Sequence, residues 1–214
     1  MFNTFLYRPS TIETLEQSFS KERMAIYVHE ARGNKQRAFQ LYAWNSAIAS
    51  TIAICLQGLE ITLRNKCNEA LVRNHGNRWL FNLPLRGNDS QQIARAIETL
   101  RKQNKEVAPA SLIPELSFGF WISLLRPTYT HTLWNKALRH AFSRKKLSPK
   151  AIYPPFNHLR ILRNRIAHHE PILKRHLEKN YDNINEKLEW LCTETAQWVA
   201  HHNSFHEIMK SRPN

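Results

Sequence analysis

Residues 35–74 read KQRAFQLYAWNSAIASTIAICLQGLEITLRNKCNEALVRN, and this stretch decides the fold class. No proline interrupts it, and its one glycine is Gly58. Apolar residues return every three or four positions, as on one face of a helix. Asn34 suits the N-cap, because its side-chain oxygen accepts an otherwise unpaired helical N–H. Gly76 suits the stop. The stretch is therefore one long helix, or two meeting near Gly58.

The flanking sequence extends the pattern. Ser10 and Glu13 have capping-box spacing and predict a helix from there to about Ala31, stopping at Gly33. Pro84 to Asn88 reads as a loop, after which Asp89 caps a helix to about Lys105. Pro109 and Pro114 bracket a turn. A short apolar helix, Glu115–Leu125, stops before Pro127, and another covers roughly Thr132–Phe142. The basic run Ser143–Lys146 is a surface connection. Pro154-Pro155 opens a further helix, since proline suits a first turn, and Pro171 ends it. About Lys174–Met209 is helical again, broken near Cys192-Thr193. No stretch shows sustained period-two alternation, and the chain has only five glycines. The expected class is all-α. No linker divides the 214 residues, so one domain over 1–214 is expected.

Hydrophobic residues make up 42% of the chain, enough for a packed interior and too many for wholesale disorder. Lys and Arg outnumber Asp and Glu by 31 to 17, a formal charge of +14. Such an excess attracts polyanions. Cys55, Cys67 and Cys192 are scattered with no CxxC pairing, which argues against a disulfide scaffold or a cysteine-based zinc site and fits a reduced, cytoplasmic setting. Met1–Phe5 lacks the basic start and apolar run of a signal peptide. The longest apolar stretch, near Ile48–Leu56, contains Ser and Thr and is too short to span a bilayer. No membrane partner is expected.

The chemistry concentrates in Leu162-Arg163-Asn164-Arg165-Ile166-Ala167-His168-His169-Glu170-Pro171. At about 100° per residue, Phe156, Leu159, Leu162 and Ile166 fall within about 120° and form a core stripe. Arg160, Asn164 and His168 recur every four residues on another face, and Arg163 borders the apolar stripe. Arginine holds phosphate through a planar fork of donors. Histidine moves protons near neutral pH, and the carbonyl end of a helix favours imidazolium. His169 reads more simply as a C-capping residue. Ile161 also falls on the polar face, so another helix or a second subunit is expected to cover part of it. The triplet Leu162-Arg163-Asn164 echoes Leu63-Arg64-Asn65 in the long stretch.

Other features read plainly. Glu60 and Arg64, one turn apart, suit a surface ion pair. His202 and His206 have a spacing that can chelate zinc, but no third ligand is evident. Arg101-Lys102 with Lys105, and Arg144-Lys145-Lys146 with Lys150, are solvated basic faces able to guide RNA. Trp44, Trp121, Trp134, Trp190 and Trp198 lie in amphipathic tracts and are assigned to the core. Trp79-Leu80-Phe81 either stacks a base or plugs the core. No phosphate-binding glycine motif or Gly-x-Ser-x-Gly elbow occurs, so neither a nucleotide cofactor nor a metal is expected.

The run Arg163-Asn164-x-x-x-His168, extended as Arg-Asn-Arg-Ile-Ala-His-His-Glu-Pro-Ile, resembles the signature of the Abi-like (abortive infection) proteins of the HEPN superfamily. Leu41-Tyr42-x-Trp44-Asn45, Leu59-Glu60-x-x-Leu63-Arg64-Asn65, Ser117-Phe118-Gly119-Phe120-Trp121-x-Ser123-Leu124 and Trp198-Val199 match in order. The resemblance implies a HEPN-like helical bundle with additional flanking helices, assembled as a homodimer with a composite active site. It implies metal-independent endoribonuclease activity in prokaryotic phage defence, through attack of the RNA 2′-hydroxyl to leave a 2′,3′-cyclic phosphate. Arg163, Asn164 and His168 occupy the motif positions and are the implied catalytic set. Glu60 and Arg64 match an acidic–basic pair on a neighbouring helix, which would turn Arg64 toward the motif helix and RNA. Arg160, Arg165 and His169 are the supporting or RNA-binding positions. Two competing readings are a non-cleaving RNA-binding module and an interaction subunit of a toxin–antitoxin pair, the latter with an antitoxin or regulatory partner.

Overall fold

The computed structural model describes residues 5–144 and 146–214. Met1–Thr4, where the N-terminal reading begins, and Lys145 of the basic run lie outside the described residues. The class is all-α, with no strand among the described residues. In chain order the helices are α1 (Pro9–Phe19), α2 (Lys21–Glu30), α3 (Lys35–His75), α4 (Trp79–Asn82), α5 (Asn88–Lys102), α6 (Pro109–Glu115), α7 (Phe118–Ser123), α8 (Pro149–Ala167), α9 (Leu177–Leu191), α10 (Thr193–His201) and α11 (Phe205–Lys210).

The decisive stretch is a single helix. The 41 residues of α3 run unbroken, about 60 Å by helical rise. Asn34 caps its start by accepting the Arg37 N–H at 2.9 Å. Gly76 ends it at φ 78°, a conformation that favours glycine. Leu41, Trp44, Ile48, Ile52, Cys55, Leu59 and Leu63 are all buried along one side. Around that side pack α2, α7, α8, α9, α10 and α11, so α3 is the spine of the molecule. Gly58 does not divide α3. A Cβ there would stand 2.9 Å from a Val199 methyl, so the missing side chain lets α10 approach.

By length and composition α3 also meets the requirements of a membrane-crossing helix: one 18-residue window has mean hydropathy 1.5, with 39% of it buried in the bundle. Judging by the nine-residue run near Ile48–Leu56 alone underestimated this, because Leu59, Ile61 and Leu63 carry the apolar window onward.

Several boundaries differ from expectation for identifiable reasons. The helix expected from Ser10 to Ala31 is two. Ser20 sits at φ 68° between them and caps α2 by accepting the Arg23 N–H. Ser10 is inside α1, which begins at Pro9. Asp89 caps nothing: it is buried and accepts hydrogen bonds from the Ser123 and Tyr129 hydroxyls, tying α5 to α7 and the turn after it. α5 stops at Lys102, followed by Asn104 at φ 53°. The Pro109–Pro114 segment is a short helix rather than a turn, with Pro109 in its first turn. α7 is shorter than expected because Ser117 caps it, accepting the Phe120 N–H. The expected helix at 132–142 is a π-helical turn, Thr130–Trp134, and a 3₁₀ turn, Leu138–Ala141, separated by Ala137 in a non-helical conformation.

α8 begins at Pro149 under a Ser148 cap, so Pro154 and Pro155 lie inside it. Each lacks a backbone donor, yet the helix continues about three turns beyond them. The break at Cys192 is present, with extended backbone between α9 and α10. Trp44, Trp121 and Trp134 are core residues, and Trp79 plugs the core while donating to Asn68. Trp198 corrects the expectation: it is 63% exposed.

Candidate nucleic-acid interface

α8 runs antiparallel to α3. Arg163 Nε, about one turn before the end of α8, meets Glu60 Oε2, a little past the midpoint of α3, at 3.3 Å. Beyond the end of α8, the Ile172 N–H donates to buried Asn45 Oδ1 at 2.9 Å, fifteen positions back along α3. Phe156, Leu159 and Leu162 are fully buried and Ile166 partly so, which is the predicted core stripe.

The opposite track carries Arg160, Asn164 and His168. Arg160 lays its stem over α7, with Cδ 3.4 Å from where a Gly119 Cβ would stand, and Nε donates to Asn157 Oδ1 at 3.0 Å. The missing Cβ at 119 therefore leaves room for this arginine. The Asn164 carbonyl accepts the His168 N–H at 2.9 Å. The His168 ring is exposed and has no hydrogen-bond partner among the described residues.

The helix end has defined geometry. His168 is the C-cap and His169 follows at φ 55°. The Glu170 N–H bonds back to Arg165 O at 2.8 Å, and the His169 N–H to Ile166 O at 3.0 Å. This is a Schellman closure with histidine in the left-handed position that glycine commonly takes. The helix thus stops two residues before Pro171 needs it to. Arg165 turns to Glu170 at 3.5 Å. From α2, Arg23 donates to His169 O at 2.9 Å, and Glu30 holds Lys174 at 2.6 Å. The contact lowers the Glu30 carboxyl below its ordinary range, chiefly through the hydrogen bond from Lys174.

The expected Glu60–Arg64 pair does not form. Glu60 reaches across to Arg163, and Arg64 Nε donates to its own neighbour Asn65 at 3.3 Å. Arg64 lies one turn beyond Glu60 on the same flank of α3. Beside the end of α8 lies a hollow of about 300 Å³ lined by Tyr42, Asn45, Ser50, Ile166, His169 and Glu170. Arg23 and Glu30 were not singled out from sequence, and Asn45 was named only within the Leu41-Tyr42-x-Trp44-Asn45 match, without a structural role. A polar Asn45 on the apolar stripe of α3 was the available signal for the last.

Thiol chemistry is poorly supplied here. Burial pushes the Cys55 and Cys67 thiols up to about 12, so neither offers thiolate near neutral pH. Among the described residues no three His, Cys, Asp or Glu side chains gather as a metal site. The His202 ring packs on Trp198 and the His206 ring on Tyr181. Large apolar side chains are exposed near the site's two helices: Ile54 (47%) and Ile61 (40%) on α3, and Ile161 (42%) on α8. Among the described residues, no helix fully covers Ile161.

No family model matches this chain, and neither a curated protein nor a solved structure similar to it was found by comparison.

Proposed function

We propose that this protein is a metal-independent endoribonuclease of the HEPN type, acting in the cytoplasm in phage defence. One observation carries the reading: an exposed imidazole at the end of α8, with Asn164 one turn before it on the same helix and Arg163, five positions before it, held by Glu60. The RNA 2′-hydroxyl attacks the adjacent phosphorus, the 5′-oxygen leaves, and a 2′,3′-cyclic phosphate and a 5′-hydroxyl result. His168 passes the proton, as base to the nucleophile or acid to the leaving oxygen. Arg163 donates to the phosphorane oxygens where negative charge builds. Asn164 orients His168 or donates to phosphate, and Arg160 and Arg64 extend the donor track.

One imidazole cannot serve both proton transfers at once. The exposed Ile54, Ile61 and Ile161 support pairing of two subunits, which would bring a second His168 to the site. The net charge of +14 supplies the attraction for RNA.

A second reading, an RNA-binding module that does not cut, draws on the same ion pair: Glu60 engages Nε of Arg163 and offsets its charge. The test is cleavage of labelled RNA by purified protein in EDTA, with His168→Ala and Arg163→Ala alongside. Cleavage by the parent that both variants lose, with 2′,3′-cyclic ends, is expected. Undiminished cutting by the variants overturns the residue assignment. Loss of cutting in EDTA overturns the metal-free chemistry. RNA binding without cleavage by the parent favours the second reading.

A further inference from the structure

On another flank of α8 a cavity of about 510 Å³ opens against the start of α9, within the size range of small-ligand sites. Lys174, Arg175, Lys179, His158, His176 and Asn180 line it, and among the described residues no carboxylate does. Lys174 is offset by Glu30 at 2.6 Å. Arg175 and Lys179 form no ion pair among the described residues. The cavity therefore presents two unbalanced cations.

Asn180 makes this more than a charged surface. It is 6% exposed, a depth at which a carboxamide needs partners. Its Oδ1 lies 3.2 Å from His158 Nε2, and the amide oxygen can only accept, so the ring donates. The amide nitrogen has no acceptor among the described residues and is not a buried orphan: it keeps solvent contact, so it is free to donate into the cavity. At the same wall α9, a 15-residue helix, begins without a side-chain cap, leaving first-turn N–H groups open.

The cations, the carboxamide N–H and the backbone N–H groups require a ligand that only accepts hydrogen bonds and carries more than one negative charge. We propose that this cavity binds a phosphate monoester, on the end of an RNA strand or on a free nucleotide. A carboxylate, with one charge and two oxygens, would leave a cation and donors unmatched. The cavity lies about 15 Å along the α8 axis from His168, ten positions away. A strand seated by a terminal phosphate can run toward the Arg160–His168 track. That RNA-end arm rests on the endoribonuclease reading, whereas the nucleotide arm does not.

The experiment titrates the full-length protein with uridine 5′-monophosphate against uridine. In parallel it uses an uncleavable 2′-O-methyl oligonucleotide carrying a phosphate at the 5′ end, the 3′ end or neither. Variants are Arg175→Ala/Lys179→Ala and Asn180→Asp, with thermal unfolding to confirm the fold. The phosphorylated member of a pair should bind about tenfold tighter, as one or two charge-assisted hydrogen bonds supply. Both variants should abolish that gap. If Asn180→Asp unfolds, the double variant at the cavity mouth decides the question alone. A gap with the mononucleotide identifies a free nucleotide as a ligand, and a gap only with an oligonucleotide identifies an RNA end. No gap in any pair, or a gap the double variant retains, overturns the proposal. His168→Ala should keep the gap, so loss of cutting with the gap intact separates this proposal from the catalytic one.

Discussion

The tripeptide Leu-Arg-Asn occurs twice, in α3 (Leu63-Arg64-Asn65) and in α8 (Leu162-Arg163-Asn164), and the two copies behave alike only at their first residue. Leu63 and Leu162 are both fully buried. Arg64 bonds locally to Asn65, whereas Arg163 pairs across the helix interface with Glu60. Asn65 is exposed on the flank of α3, while Asn164 is half-buried one turn before the helix end that presents His168. A leucine is driven inward by its own apolar surface. An arginine at the edge of a helix takes whichever acceptor the neighbouring helix brings. The same three letters therefore make one copy a piece of spine and the other part of a candidate site.

The largest expected effect separates the copies by chemistry. His168→Ala, at the end of the α8 copy, should slow RNA cleavage by about 10²–10⁴-fold, the size of one positioned proton transfer. Arg64→Ala, in the α3 copy, should lower cleavage far less. Rates on a labelled oligoribonucleotide check this, and equal losses from the two changes would erase the distinction.

The next effect should unite the copies. Leu63→Ala and Leu162→Ala each remove a fully buried side chain. Each should cost about 2–5 kcal/mol in denaturant unfolding, from lost burial and the cavity left behind. A cost well below this range at either position would mean that its surroundings collapse onto the space.

A smaller effect tests the partner choice. In a double-mutant cycle, Glu60→Ala with Arg163→Ala should show coupling of about 0.2–1 kcal/mol, since both side chains keep solvent contact. The cycle of Glu60→Ala with Arg64→Ala should show almost none. Coupling in the second cycle and not the first would restore the ion pair along α3.

The smallest effect lies at the far end of α3. Burial, with Lys136 nearby, lowers the His75 imidazole below its ordinary value of 6.5. A depressed folded value means that the unfolded chain binds the proton more readily. The stability tied to His75 is therefore present above about pH 6.5 and lost as pH falls through the lowered folded value. Thermal unfolding followed downward from pH 7.5 should decline less steeply for His75→Gln than for the parent.

Much of the scaffold was legible because its signals are local. Asn34 and Gly76 bound α3, and the 3–4 spacing from Leu41 to Leu63 marks its buried side. The α8 stripe of Phe156, Leu159 and Leu162 follows from the same periodicity. Errors gathered where a residue had two uses. Asp89 looked like a helix cap and is a buried acceptor for two hydroxyls. Ser10 looked like a cap and is inside a helix, while Ser20 caps α2 unannounced. Trp198 has a core residue's chemistry but stands beside Val199, which takes the close approach to Gly58 and leaves the indole outside.

Periodicity and capping, read along the chain, determined an all-helical molecule around one long spine and placed Arg160, Asn164 and His168 on one track, because helical geometry links residues four positions apart. Only the tertiary structure decided that Glu60 belongs to Arg163 rather than to Arg64. It also decided that His169 closes α8 before Pro171, and that Asn180 and two unpaired cations share one cavity wall. Those outcomes depend on which acceptor or charge a neighbouring helix brings within about 3 Å, and that separation is set by how the helices cross.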